Sequence, residues 1–252
     1  MHKAQNYVDS IMSGNHQTMW QSALSFSQAK SLKAALHNDA SGSIYSSAVS
    51  IGDAIQALHH NFFTWATVKL YYSTFYLMRG LLALEANTAI LYSNRSPYTW
   101  RCKPGEIPER RKGNTHKVVL NEFEKSLPNH TLLSQKIGLS SPLDWLMNLR
   151  EEANYKIPKF QDPEAPIHFK FIQKSNMRQL LGAYALDAQQ LYMFDEDHAI
   201  LAFPIGALKH ALKMLKNSDA PLDSIEQKYL ISIFSDKNGP FTEFKALLEN
   251  PT

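Results

Sequence analysis

Apolar side chains recur every three or four positions through the first third of the chain, which is the spacing of one face of an α-helix. Between residues 61 and 86 they form two adjacent stripes, Phe63, Ala66, Leu70, Leu77, Leu81, Leu84 and Val68, Tyr71, Phe75, Met78, Leu82. Two adjacent stripes make a wide apolar face. We therefore predict a central helix here, with Tyr71, Phe75 and Met78 buried.

Proline placement extends this helical pattern. Residues 1–96 contain no proline, and a proline inside a helix costs about 3 kcal/mol. Thr115 is expected to cap one helix, and Pro142 suits the first turn of another. The predicted helices are 15–37, 43–59, 61–86, 116–127, 142–155, 168–195, 204–217, 221–235 and 241–249.

Together these elements predict an all-α protein. No segment shows the alternating pattern of a strand, and residues 87–114, with three prolines and two glycines, are predicted to form a long loop. The predicted organisation is an N-terminal segment at 1–14, a helical domain at 15–195 and a C-terminal helical extension at 196–252.

Composition favours a folded cytoplasmic protein. The chain is 44% hydrophobic and 19% charged, with a net charge of +3. The single cysteine, Cys102, excludes an intramolecular disulfide and suits a reducing compartment. No signal peptide is evident, and Lys69 and Arg79 interrupt the most apolar stretch, so no membrane association is expected.

The sequence lacks the motifs of several common classes of enzyme and metal site. There is no glycine-rich phosphate loop, no GxSxG, no HExxH and no paired CxxC. The acidic run that ends in His198 could hold a cation, but such runs more often form the polar end of a helix. We therefore expect neither a cofactor nor a metal.

Two segments carry a family resemblance. Residues 144–155, DWLMNLREEANY, place Arg150, Asn154 and Tyr155 together at one helix end, and residues 65–82 read WATVKLYYSTFYLMRGLL. The pair resembles the HEPN superfamily, helical domains found in prokaryotic toxins, defence proteins and nucleotide-handling assemblies. The resemblance implies a HEPN-like helical bundle. Family ribonucleases carry an Arg followed by four residues and a His, a position that Tyr155 fills here.

For the family ribonucleases the resemblance implies metal-independent cleavage, in which His deprotonates a ribose 2′-OH and Arg steadies the phosphate. Tyr155 is a poor substitute, because a phenol with a reference pKa near ~10 is hardly ionised at neutral pH. Asn154 can donate and accept hydrogen bonds but cannot shuttle protons. A family branch with an acidic or amide residue before Tyr looks similar to this chain. The alternative is that Arg150 pairs with a nearby carboxylate (Asp144, Glu151 or Glu152) above a packed Tyr155.

A second candidate site is the basic segment 95–117. It contains two acidic residues, Glu106 and Glu109, and seven basic ones, Arg95, Arg101, Lys103, Arg110, Arg111, Lys112 and Lys117. Tyr98 and Trp100 lie among them, so phosphate contact and base stacking are both expected. The alternative is a solvated loop or one that contacts an acidic protein.

The function predicted from these features is a HEPN-like interaction or nucleic-acid-binding subunit of a prokaryotic defence or toxin–antitoxin system. It would form a homodimer or a complex with another protein, with RNA or DNA as a possible ligand. One alternative is a metal-independent ribonuclease using Arg150 with a non-standard base, such as His116 or a residue of a second protomer. The other is a structural scaffold that docks a larger ATPase or nuclease.

Overall fold

The computed structural model describes residues 2–11, 20–233 and 236. It is mostly helical, with one three-stranded sheet among the described residues. The elements are α1 (Lys3–Ile11), α2 (Phe26–His59), α3 (Phe63–Glu85), β1 (Thr88–Ser93), β2 (Ser96–Arg101), β3 (Glu109–Arg110), α4 (Thr115–Ser126), α5 (Pro142–Glu151), α6 (Lys170–Lys174), α7 (Met177–Leu186), α8 (Ala199–Lys216) and α9 (Ser224–Ile233). The predicted helix at 241–249 lies outside the described residues.

The chain divides into two compact units that are each discontinuous in sequence. The first comprises Met1–Ser43, Met78–Pro128 and Met214–Leu222, and the second Ile44–Leu77, Asn129–Lys213 and Asp223–Thr252. Neither unit follows the predicted boundary between 195 and 196. None of the described helices combines the length and apolar character that crossing a membrane requires.

The sheet lies in the first unit and corrects the strictly all-α prediction. β1 and β2 pair antiparallel from Thr88 opposite Arg101 to Ser93 opposite Ser96. Asn94 and Arg95, both with positive φ, make the two-residue turn between them. The predicted loop at 87–114 is therefore wrong for the hairpin, because the buried start of β1 pairs with β2 instead of remaining irregular.

The core of the first unit packs helices against this hairpin. Val8 of α1, Leu32 of α2, Leu91 of β1 and Trp100 of β2 belong to one buried cluster. α4 follows, capped by Asn114, whose side chain accepts a hydrogen bond from the backbone of Lys117. The predicted cap, Thr115, is instead the first helical residue.

Helix boundaries differ from prediction where local signals conflict with tertiary packing. The helices predicted at 15–37 and 43–59 correspond to one helix, α2, which begins at Phe26 and continues through Gly42. Residues 15–19 of that prediction lie outside the described residues. The helix predicted at 168–195 is divided, because Asn176 caps a new helix by accepting a hydrogen bond from the backbone of Gln179. α8 begins at Ala199 and carries Pro204 inside it, whereas Pro204 was expected to begin that helix.

The central helix is confirmed. Tyr71, Phe75 and Met78 on α3 are all buried, as the two apolar stripes predict. Thr67, Ser73 and Thr74 on the same helix are buried too, and each donates its hydroxyl hydrogen to a backbone carbonyl three or four residues earlier. The hydroxyls are thereby satisfied, so a helix with several polar residues can still be buried on most of its surface.

Phe75→Ala tests this assignment. Phe75 is 6% exposed, and truncating a buried phenylalanine costs about 3–5 kcal/mol because it leaves a cavity. Urea denaturation should show that loss, whereas Phe26→Ala, at a side chain that is 77% exposed, should change stability little. Equal stabilities of the two variants would contradict a buried Phe75.

Candidate functional site: the Arg150 cluster and its neighbouring cavity

The end of α5 positions Arg150. Ser141 caps this helix by accepting a hydrogen bond from the backbone of Asp144, and Pro142 occupies the first turn, as predicted. Directly after α5 the backbone widens into a π-helical turn, Glu152–Lys156. Residues three or four apart share a face of an α-helix, whereas a π-helical turn bonds residues five apart. This turn therefore brings Tyr155, five residues on, back over Arg150.

The guanidinium of Arg150 lies among three tyrosine rings, and we call Arg150, Tyr71, Tyr72 and Tyr155 the Arg150 cluster. Nη2 of Arg150 donates to the hydroxyl oxygens of Tyr72, at 3.2 Å, and Tyr155, at 3.3 Å. Its Cζ lies 5.5, 5.6 and 5.0 Å from the ring centroids of Tyr71, Tyr72 and Tyr155. All three distances are within the range of a cation–π interaction.

Arg150 has no carboxylate partner among the described residues, and its Nε is buried without a hydrogen bond. The alternative prediction of an ion pair with a neighbouring acid is therefore not observed. Asp144 instead accepts a hydrogen bond from the hydroxyl of Ser141, at 3.0 Å. The positive charge of this guanidinium is thus stabilised, without being neutralised, by aromatic faces and hydroxyl dipoles.

The ionisation of the cluster follows from its surroundings. Partial burial opposes the charge of Arg150, but the hydrogen bond to Tyr72 and the neighbouring phenols outweigh that effect and leave the pKa of Arg150 above its ordinary value. Burial raises the pKa of Tyr71 to about 12, although the charge of Arg150 acts in the opposite direction. At neutral pH the cluster therefore contains a fixed cation and a protonated Tyr71.

The Arg150 cluster, as defined above, contains neither Asn154 nor His116. Asn154 is half-buried, and its side chain makes no hydrogen bond among the described residues. The π-helical turn puts Tyr155, rather than Asn154, over Arg150. His116, the suggested alternative base, lies in the first turn of α4 in the first unit, whereas Arg150 belongs to the second.

The basic segment falls on the hairpin and the residues that follow it. Six of its seven cations are exposed, namely Arg95, Arg101, Lys103, Arg110, Lys112 and Lys117. The seventh, Arg111, is half-buried and forms ion pairs with Glu122, at 2.9 Å, and Glu109, at 2.6 Å. Arg111 thus stabilises the packing of α4, and the exposed six remain the candidates for phosphate contact.

Trp100 does not fit the base-stacking role expected for it. Its side chain is 1% exposed, and its indole Nε1 donates to the carbonyl of Glu106 at 2.9 Å. The ring face that a base would need is covered by the core of the first unit. The half-buried Tyr98 contacts Trp20 instead, with ring centroids 4.3 Å apart, a neighbour that the sequence analysis did not identify.

A cavity of about 220 Å³ lies beside the π-helical turn, entirely within the second unit. Leu149, Ala153 and Ile157 line one side, and other lining residues come from α3 and from the segment 161–168. His168 lines it too, and burial lowers the pKa of this imidazole to about 4. Sequence reasoning missed His168, since a lone histidine after a proline carries no motif.

The pKa of His168 predicts a pH dependence of stability. With an ordinary pKa near 6.5 in the unfolded chain and about 4 in the folded protein, the unfolded chain binds the proton more readily between these values. The free energy of unfolding should therefore fall as pH falls, by about 2 kcal/mol between pH 7 and pH 5 from this group. Urea denaturation of the protein and of His168→Gln, compared at both pH values, isolates the effect. An imidazole signal that titrates near 6.5 by NMR would contradict it.

Comparison of this chain with protein-family models, with curated proteins and with solved structures returned no match. The sequence and the geometry of the Arg150 cluster are therefore the basis for assigning a function.

Proposed function

We propose that this chain is a HEPN-like, nucleic-acid-binding subunit of a prokaryotic defence or toxin–antitoxin system, which holds a phosphate of RNA at Arg150 without cleaving the strand. In this role it pairs with a second copy or with another protein subunit. The observation that carries the proposal is the guanidinium of Arg150, balanced by aromatic rings rather than by a carboxylate.

A phosphate would supply the negatively charged partner that Arg150 does not have among the described residues. Arginine is a planar, permanently charged donor that binds phosphate oxygens through two parallel hydrogen bonds. Arg150 has no carboxylate partner among the described residues, so a phosphate could bind its guanidinium without breaking an ion pair. Beside it Tyr155 is 71% exposed, and its ring offers a surface on which an unpaired base could stack.

Cleavage by this cluster is disfavoured by its proton chemistry. A general base works best when its pKa is near the operating pH, and Tyr71 is far above that range. Tyr72 and Tyr155 each accept a hydrogen bond from Arg150, which occupies an oxygen lone pair that a base would use. The arrangement supports binding of the phosphate more than attack on it.

Arg150→Ala should weaken binding of a single-stranded RNA by about tenfold or more, the loss typical of a charge-assisted hydrogen bond. Arg150→Lys should recover only part of the affinity, because lysine keeps the charge and loses the planar fork. Arg178→Ala, at an exposed arginine on α7, is the matched control and should bind as the unmodified protein does. Fluorescence anisotropy measures all four proteins, and equal affinities would refute the role of Arg150.

The same RNA, labelled and incubated with the protein in EDTA, separates binding from catalysis. Intact RNA is the expected result. Cleavage that leaves 2′,3′-cyclic phosphate ends and is abolished by Arg150→Ala would replace this proposal with a metal-independent ribonuclease.

The exposed cations of the basic segment would supply further phosphate contacts, which release counterions and make affinity salt-dependent. Changing Arg101 and Lys112 to Gln should flatten the slope of log affinity against log salt by about 1.4–1.8, at ~0.7–0.9 per lost contact. Lys170→Gln with Lys174→Gln, a pair of exposed lysines on α6, should leave the slope unchanged. If both pairs gave the same slope, the segment would have no specific contact with phosphate.

A further inference from the structure

The cavity in the second unit has a buried floor and an acidic rim. Phe63 and Thr67 of α3 form part of the floor and are almost completely buried. Glu152, Gln161 and Glu164 are exposed and line the opening. Neither lysine nor arginine occurs among the described residues that line it.

A hydrogen-bonded link between two chain segments fixes the shape of the cavity. The backbone N–H of Thr64 donates to a carboxylate oxygen of Asp162 at 3.1 Å, and the Thr64 hydroxyl donates to the other oxygen. Asp162 thereby holds the segment containing Gln161 and Glu164 against the first turn of α3. These two hydrogen bonds thus fix the position of one wall of the cavity.

The hydrogen bonds of the floor determine the tautomer of His168. The hydroxyl of Thr67 donates to the carbonyl of Phe63 at 2.9 Å, so its oxygen is left to accept from Nε2–H of His168, at 3.2 Å. Because the neutral imidazole has one donor and one acceptor, its Nδ1 is an acceptor. Among the described residues no hydrogen bond reaches Nδ1.

The titratable side chains of this lining are Glu152, Glu164 and His168. The two glutamates carry negative charge, and Nδ1 of His168 can accept a hydrogen bond. An anion would meet two carboxylates and no cation, whereas an ammonium or guanidinium group would find both charge and acceptors. The apolar surface of Phe63, Leu149 and Ile157 provides a place for an uncharged body. Pockets for drug-sized ligands occupy about 300–1,000 Å³, so a cavity of about 220 Å³ suits a smaller molecule.

We infer that this cavity is a binding site for a small organic cation, an amine or guanidine with a short apolar body, whose charged group lies between Glu152 and Glu164 and whose body contacts Phe63. The site does not depend on the proposed RNA binding, since none of its lining residues belongs to the Arg150 cluster. It nevertheless shares the π-helical turn, because Glu152 and Ala153 line the cavity and Tyr155 contacts Arg150.

Three probes of nearly equal size and different charge test the inference by isothermal titration calorimetry: benzylammonium, benzyl alcohol and benzoate. A cavity of about 150 Å³ is large enough for benzene, so their common ring fits. Benzylammonium should bind saturably and most tightly, benzyl alcohol more weakly, and benzoate least. Affinity for benzylammonium should also fall as salt rises, because the carboxylates at the rim are exposed to solvent.

The double variant Glu152→Gln, Glu164→Gln keeps the shape of the rim and removes its charge. It should weaken benzylammonium binding by about three- to tenfold, the size expected for two solvent-exposed ion pairs, and leave benzyl alcohol unaffected. Glu151→Gln, a neighbouring change outside the lining, is the control and should bind like the unmodified protein. Exposed substitutions of this kind should fold normally, which a melting curve verifies.

The inference is overturned if benzylammonium shows no saturable binding, if benzoate binds as tightly, or if the double variant binds benzylammonium unchanged. None of these measurements involves RNA or Arg150. Failure here would therefore leave the proposed phosphate site standing, and loss of RNA binding in Arg150→Ala would not affect the cavity.

Discussion

The arrangement of the Arg150 cluster depends on how the second unit accommodates the positive charge of the guanidinium. A cation–π interaction contributes about 0.5–2 kcal/mol, more where water is excluded, and here three rings share one guanidinium. Aromatic faces lower the cost of partly burying the charge without neutralising it. A carboxylate partner would have stabilised the same position while cancelling its attraction for an anion. The guanidinium is consequently held in place by hydrogen bonds and aromatic rings while it keeps its attraction for an anion.

Two backbone features bring this arrangement about. α3 provides Tyr71 and Tyr72 as consecutive residues, and the π-helical turn after α5 returns Tyr155 to Arg150. π-helical turns are rare and frequently lie at functional sites. This one affects two sites at once, because Glu152 and Ala153 from the same turn line the neighbouring cavity. Restoring α-helical geometry at 152–156 would therefore disturb both the proposed phosphate site and the cavity.

Much of the helical framework could be predicted from sequence, because burial leaves a periodic signal. The two stripes of α3 specified a wide buried face, and Tyr71, Phe75 and Met78 are buried accordingly. The strands are less evident from the residue pattern of the sequence. Four successive buried residues at the start of β1 resemble a buried helix segment as much as a strand. Prolines favour a loop, yet Pro97 lies inside β2.

Within the site, contacts between residues near in sequence could be predicted, whereas contacts between distant residues could not. The proximity of Arg150 and Tyr155 was predictable because the two residues are near in sequence, although the π-helical turn selects Tyr155 over Asn154. Tyr72 and His168 could not be assigned, since tertiary packing brings each to its site from a distant part of the chain. Trp100 shows the converse error: its neighbours in sequence are basic, but its environment in the fold is apolar.

The tyrosine at position 155 has a physical consequence that a histidine would not have. Its hydroxyl lies at the far end of a long, rigid ring, and from an exposed position it still reaches Nη2 of Arg150. In that contact the phenol oxygen accepts a hydrogen bond from a cation, so part of its acceptor capacity is already used. An imidazole, by contrast, has an acceptor nitrogen whose pKa lies near neutrality. Tyrosine at this place therefore favours a positioned arginine over a proton-transfer pair, which is the arrangement expected of a site that binds phosphate and leaves the strand intact.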